Sequence, residues 1–246
     1  MSAPQRIAMW SGPRNLSTAL MRAWENRADA TVVDEPLYGA YLAATGIDHP
    51  GRDEVLACMD TDWRAVVGSL TGPVPDGKAI WYQKHMAHHL LPEMGHDWVF
   101  ELTSAFLIRD PAAMLASYVR RRQTVTVADL GLPQQVALFD RLCERTGSTP
   151  PVIDAADVLK DPAGTLGALC AALGVAFDAA MLSWPAGPRP TDGVWAKYWY
   201  DSVERSTGFA PYRPKPVTLP DHLQAIVEAC RPSYDRLYRA RLPASS

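Results

Sequence analysis

Two short stretches of the chain combine residue types that hold anions. The first, Ser11-Gly12-Pro13-Arg14-Asn15-Leu16-Ser17-Thr18, follows an apolar run from Arg6 to Trp10 and leads into a segment with helical spacing. Asn15 is a favoured helix N-cap, so the N–H groups of Leu16, Ser17 and Thr18 are expected to point unpaired out of a helix start. Such donors and the helix dipole make an anion site; Arg14 adds a planar charged fork, and Ser17 and Thr18 add hydroxyls. The stretch lacks the Gly and Lys of GxxxxGK[ST], which disfavours a conventional ATPase or GTPase. Taken alone, it is equally an ordinary strand-to-helix turn with an exposed Arg.

The second stretch ends an apolar run at Ile108 and continues Arg109-Asp110-Pro111, with Ser117 further along a helical pattern. Ser117 lies roughly 9 Å up that helix from Pro111, so a phosphate held by both Arg109 and Ser117 must lie beside the helix. Two candidate proton acceptors stand after other apolar runs: Glu35 in Val33-Asp34-Glu35-Pro36 and His85 in Gln83-Lys84-His85-Met86. Each has a plain alternative, a solvated or capping acid for Glu35 and a hydrogen-bonded structural histidine for His85. His88 and His89 join His85 in a tempting cluster, but the expected helical pair His85 and His89 lacks the acid of HExxH, and no metal site is expected.

The two anion stretches together resemble the sulfotransferases that use 3′-phosphoadenosine 5′-phosphosulfate (PAPS). In that family an early strand-loop-helix with a Pro-Lys/Arg-x-x-Ser/Thr-Thr pattern binds the 5′-phosphosulfate, and Ser-Gly-Pro-Arg-Asn-Leu-Ser-Thr is similar to it. A later strand ending in Arg, with Ser eight residues on, binds the 3′-phosphate, as Arg109 and Ser117 would here. The resemblance implies an α/β fold, a mainly parallel sheet flanked by helices with P-loop-containing nucleotide hydrolase-like (sulfotransferase) architecture. It assigns donor binding to Gly12, Pro13, Arg14, Asn15, Leu16, Ser17, Thr18, Arg109 and Ser117, and more loosely to Arg189, Trp195 and Lys197 in a late Gly-x-Trp-like stretch. Catalysis falls to Glu35 as base and to Arg14, with Lys84 or His85 at the transferring group or leaving oxygen. The acceptor is a hydroxyl or amine of a small molecule. A kinase-like phosphate-handling enzyme and a nucleotide-binding protein without turnover are the alternatives.

These residues need elements to position them. Apolar runs at Arg6 to Trp10, Thr31 to Val33, Ala79 to Gln83, Ala105 to Ile108 and Pro151 to Ile153 predict buried strands. Between them, helical periodicity runs through Leu16 to Arg27, Asp53 to Leu70, Pro111 to Thr124, Pro133 to Arg145, Pro162 to Leu173 and Pro220 to Ala229. Alternating strands and helices argue for a parallel sheet covered on both faces, with ligands at the carboxyl ends of its strands. Residues 1–246 are expected to form a single domain. The aromatic and Pro-rich segment 184–213 has no clear period and is expected to cover the active site.

Composition narrows the function classes. The chain has 246 residues, 48% hydrophobic and 21% charged, with a net charge of −3, which provides no global positive field for a nucleic acid or an anionic membrane. Its cysteines, Cys58, Cys143, Cys170 and Cys230, are scattered singly, against a disulfide framework or a paired-cysteine metal site. The residues before Ile7 leave no room for a charged segment and a long apolar signal core, so a cytoplasmic location is expected.

Overall fold

The computed structural model describes residues 4–122, 124–214 and 217–243. Five strands, β1 (Gln5–Ser11), β2 (Ala30–Asp34), β3 (Ile80–Met86), β4 (Thr103–Ile108) and β5 (Val152–Asp154), pair entirely in parallel in the order β2-β3-β1-β4-β5. Each expected strand is present: β1 and β2 gain a residue at both ends, β4 starts two residues earlier, and β3 and β5 start one residue later and run further. The continuous apolar runs reflect burial on both faces. Ile7 and Met9 of β1, with Ala105 and Leu107 of β4, pack under helices α1 (Ser17–Glu25) and α9 (Pro162–Ala172). Ala8, Trp10, Phe106 and Ile108 face the other side, against α4 (Trp63–Thr71), α5 (Pro111–Tyr118), α7 (Leu132–Thr146) and α12 (Asp221–Arg239).

Several helices depart from their expected limits for local reasons. The pattern over Asp53 to Leu70 divides into α3 (Arg52–Cys58) and α4, because Met59 is extended and Asp62 accepts a hydrogen bond from the Arg64 N–H to start a new helix. Helix α5 stops at Tyr118, short of Thr124; Gln123 lies outside the described residues. Helix α12 runs ten residues past Ala229, since Tyr234 and Leu237 prolong the buried stripe of Cys230 at four and seven residue steps. Helix α2 (Tyr38–Thr45) was not expected, being apolar almost throughout and so carrying no amphipathic period. The short α8 (Ala155–Lys160), which Asp154 caps, was not expected either, six residues being too few to show a period.

β1 lies at the centre of the sheet, and the chain spreads from it to β3 and β2 on one side and to β4 and β5 on the other. The β1 and β4 carboxyl ends therefore flank the crevice where an open α/β sheet takes its ligands. Among the described residues, no helix is long and apolar enough to cross a membrane.

Candidate active site

A cavity of about 350 Å³ opens at the carboxyl ends of β1, β2, β3 and β4. Residues 13–18 form its floor, together with Arg109 and Ser117; Glu35 and Lys84 lie at its other end. The sheet thus gathers most of the expected site residues from four separate strand ends.

The loop after β1 is built differently from a simple Asn-capped turn. Asn15 is fully buried and its Nδ2 donates to the Leu107 carbonyl at 2.9 Å, tying the loop to the end of β4, so it does not cap α1. Leu16 holds the cap position with φ 78°, and Arg14 has φ 60°, two left-handed residues that carry a side chain. Among the described residues, the N–H groups of Leu16, Ser17 and Thr18 find no acceptor, as expected of a helix start that awaits an anion. Gly12 does not line the cavity; a Cβ there would meet the Leu130 carbonyl oxygen at 2.2 Å, so its glycine serves a close backbone approach.

The two expected anion sites form one wall. Arg14 Nε donates to Ser117 Oγ at 3.1 Å and its Nη1 to the Trp199 carbonyl at 3.2 Å, while Arg109 Nη1 donates to the Arg14 carbonyl at 2.6 Å. Burial, followed by the nearby charges of Arg121, Arg109 and Arg120, holds the Arg14 pKa below its ordinary value. Cations crowded against one another at a cavity wall are stabilised by an anionic ligand. Arg121 lies past the end of α5 and pairs with Asp201, whereas Arg122 lines the cavity.

A buried charge cluster stands opposite. Lys84 Nζ donates to Asp34 Oδ1 at 2.7 Å, Glu35 Oε1 at 2.6 Å and the Tyr200 hydroxyl at 2.9 Å, and Tyr200 in turn donates to Asp34 Oδ2 at 2.6 Å. All three ammonium protons are therefore committed, so Lys84 lines the cavity with its donors already spent on Asp34, Glu35 and Tyr200. Burial pulls the Lys84 pKa down, but Asp34 and Glu35 outweigh it and the net shift is upward. Glu35 also shifts upward, first by burial and then by Asp34, because one ammonium shared between two carboxylates leaves Glu35 incompletely compensated. Glu35 has φ 44°, a left-handed backbone at the end of β2 that turns its side chain into the cavity wall.

His85 is not at this site. It neighbours Lys84 on β3, and adjacent strand residues face opposite sides of the sheet. Its ring stacks on Trp10 at 4.3 Å and bonds Gln83, and burial pushes its pKa down to about 3. Nor do His85 and His89 share a helix, since His88 and His89 lie in a 3-10 turn after β3. Among the described residues, no group of three His, Cys, Asp or Glu is placed to hold a metal ion.

Segment 184–213 contributes Trp195, Trp199, Tyr200 and Phe209 to the cavity lining. Trp195 is buried and donates to Tyr200 at 3.2 Å. Arg189 and Lys197 are turned away: Arg189 donates to the Pro185 carbonyl, and Lys197 pairs with Glu54 at 2.7 Å. Sequence reasoning missed Tyr38, Tyr41, His49 and Arg122 as lining residues and considered His88 and His89 only as metal ligands. Tyr38 and Tyr41, three residues apart on α2, were the available signal once that helix is recognised.

Comparison with known proteins bears on this arrangement. A family model described as a sulfotransferase domain matches residues 5–241. Two curated Arabidopsis thaliana proteins, branched-chain-amino-acid aminotransferase-like proteins 1 and 2, are 40% and 38% identical over 96% and 94% of this chain. The chain spans only 42% and 41% of their lengths. Among solved structures, a sulfotransferase from Alicyclobacillus acidocaldarius superposes with TM-score 0.57 at 15% identity, covering 98% of each chain. The sulfotransferase domain from the curacin biosynthetic pathway gives TM-score 0.55 at 17% identity, covering 94% of this chain and 99% of its own.

Proposed function

Since this chain belongs to the sulfotransferase family, we propose that it moves a sulfuryl group from PAPS to a hydroxyl or amine of a small molecule, with its residues acting as one domain. The observation that carries this reading is the continuous wall of Arg14, Ser117 and Arg109 beneath the unpaired N–H groups of α1, facing Glu35 within one cavity. A 3′,5′-bisphosphorylated nucleotide presents two anions, and this wall offers two arginines and a helix start to receive them.

In the reaction, the acceptor oxygen or nitrogen attacks sulfur as the bond from sulfur to the phosphate oxygen breaks, and the acceptor's proton passes to a base. Positioning and charge neutralisation dominate such an in-line transfer. Arg14, the hydroxyls of Ser17 and Thr18 and the N–H groups of Leu16 to Thr18 neutralise the phosphosulfate and the leaving phosphate. Arg109 and Ser117 hold the 3′-phosphate. Glu35 takes the proton, and Lys84 with Asp34 fixes its carboxylate. Segment 184–213 covers the site: its Trp199 carbonyl accepts from Arg14 and its Tyr200 hydroxyl joins Lys84, so one segment is tied to both clusters.

The aminotransferase-like name of the curated relatives does not transfer to this chain, which aligns with about two fifths of their length. An aminotransferase needs a lysine amine free to condense with a carbonyl; among the described residues Lys84 is the lysine that lines the cavity, and two carboxylates hold it. Incubation with sulfur-labelled PAPS and a panel of hydroxylated and amino metabolites tests the proposal. Label should move to an acceptor with the wild type and stay on the nucleotide with Glu35→Gln; no transfer to any acceptor by the wild type would count against turnover.

A further inference from the structure

Inside the cavity wall, two complementary polar atoms stand near each other, neither with a hydrogen-bond partner among the described residues. Glu35 Oε1 accepts from Lys84, while among the described residues Oε2 accepts no hydrogen bond. His89 Nδ1 is buried without a partner, and it stands 3.9 Å from Glu35 Oε2. That gap exceeds a hydrogen bond by roughly 1 Å. The His89 ring has little freedom to turn away, because it stacks on Tyr38 at 4.7 Å with the planes 1° apart and on Tyr41 at 4.6 Å. An orphaned buried nitrogen is costly, so a ring clamped in this orientation needs a reason.

We propose that His89 is the positioning residue for the base: its Nδ1–H closes onto Glu35 Oε2, so that Lys84 and His89 each hold one carboxylate oxygen. A free lone pair is left on each oxygen to receive the acceptor's proton; only that last step rests on the sulfotransfer reading.

The surroundings keep the ring neutral, as a single N–H donor requires. Burial does most of this, joined by His88, His49 and Lys84, and by His85 from across the sheet. Around Glu35 stand Asp34 from the same strand end, Lys84 from β3, Tyr38 from α2 and Tyr200 from the late segment. Tyr118 approaches from α5. Of these, only Lys84 donates to the Glu35 carboxylate, which leaves Oε2 for His89.

A hydrogen bond to the charged carboxylate favours that form, so losing it raises the pKa of Glu35. The test is an NMR titration of isotope-labelled Glu side-chain carboxyl carbons, with the Glu35 signal assigned by its loss in Glu35→Gln. His89→Phe keeps the ring stack and removes the nitrogen; His89→Asn restores an amide N–H at the Nδ1 position. The Glu35 midpoint should rise by about 1 pH unit in His89→Phe and by less than about half of that in His89→Asn. An unchanged midpoint in His89→Phe, or equal shifts in both variants, overturns the proposal. Should His89→Phe fail to fold, nitrogen NMR of the wild type decides: His89 is expected as the Nδ1–H tautomer, and an Nε2–H tautomer overturns it. None of these readouts needs transfer activity. Failure of adenosine 3′,5′-bisphosphate to bind would sink the sulfotransfer reading, while the titration would still decide the role of His89.

Discussion

Glu35 combines a left-handed backbone, a shared ammonium partner and a raised proton affinity, and each has a measurable consequence. In its proposed role as base, Glu35 must be ionised to act. Its pKa is raised above the ordinary 4.5, so turnover should hold at higher pH and fall as pH drops through a midpoint above that value. A pH–rate profile checks this, and Glu35→Gln should lower turnover by about 10²- to 10⁴-fold while leaving nucleotide binding intact. Lys84 is fully buried between two carboxylates, so Lys84→Met leaves like charges facing one another and should cost about 3–5 kcal/mol in denaturant unfolding. The types of these residues were legible in sequence because Glu35, Lys84, Arg14 and Arg109 all follow or end apolar runs. What the sequence did not reveal was direction: Lys84 and His85 are adjacent, and only the pleat of β3 sends one to the cavity and the other against Trp10. Asn15 misled for a related reason. A good cap residue found a stronger use in the Leu107 carbonyl, which lies on a strand remote in sequence.

At the level of elements, the strands were readable because each carries a short continuous apolar run, which in β1 and β4 is buried on both faces. Helix α2 was hidden because its residues are apolar almost throughout, the exposed Ala43 and Ala44 included, so no polar face marks a helical period. The turn from β1 into α1 depends on Gly12, whose Cα approaches the turn ending at Leu130; Gly12→Ala should destabilise the protein by about 1–3 kcal/mol in thermal or denaturant unfolding. Segment 184–213 has no period to read because what orders it is distant: Tyr200 reaches Asp34 and Lys84, Arg22 pairs with Asp192 at 2.6 Å, and Trp199 meets Arg14. Tyr200→Phe removes one buried hydroxyl from that set, with an expected loss of about 1–3 kcal/mol and faster hydrogen exchange across the segment. Unchanged exchange there would mean that the segment is held by its other contacts.

Across the whole molecule, a chain of net charge −3 sets Arg14 and Arg109, which have no carboxylate partner among the described residues, at one crevice of a parallel sheet. A weak global field with a strong local one suits a small, multiply anionic ligand better than a polymer. The crevice lies between β1 and β4, where the strand order turns, and this placement follows from topology rather than from any single residue. As a proposed PAPS site, this crevice must read a nucleotide carrying both a 5′ and a 3′ phosphate. Thermal unfolding with adenosine 3′,5′-bisphosphate tests it most directly, against magnesium-ATP and against the Arg109→Ala variant. With ligand at about 100-fold its Kd, the bisphosphate should add about 2.7 kcal/mol, or about 5–10 °C in Tm for a chain of this size. Arg109→Ala should lose most of that shift. Stabilisation by magnesium-ATP with none from the bisphosphate would contradict the account.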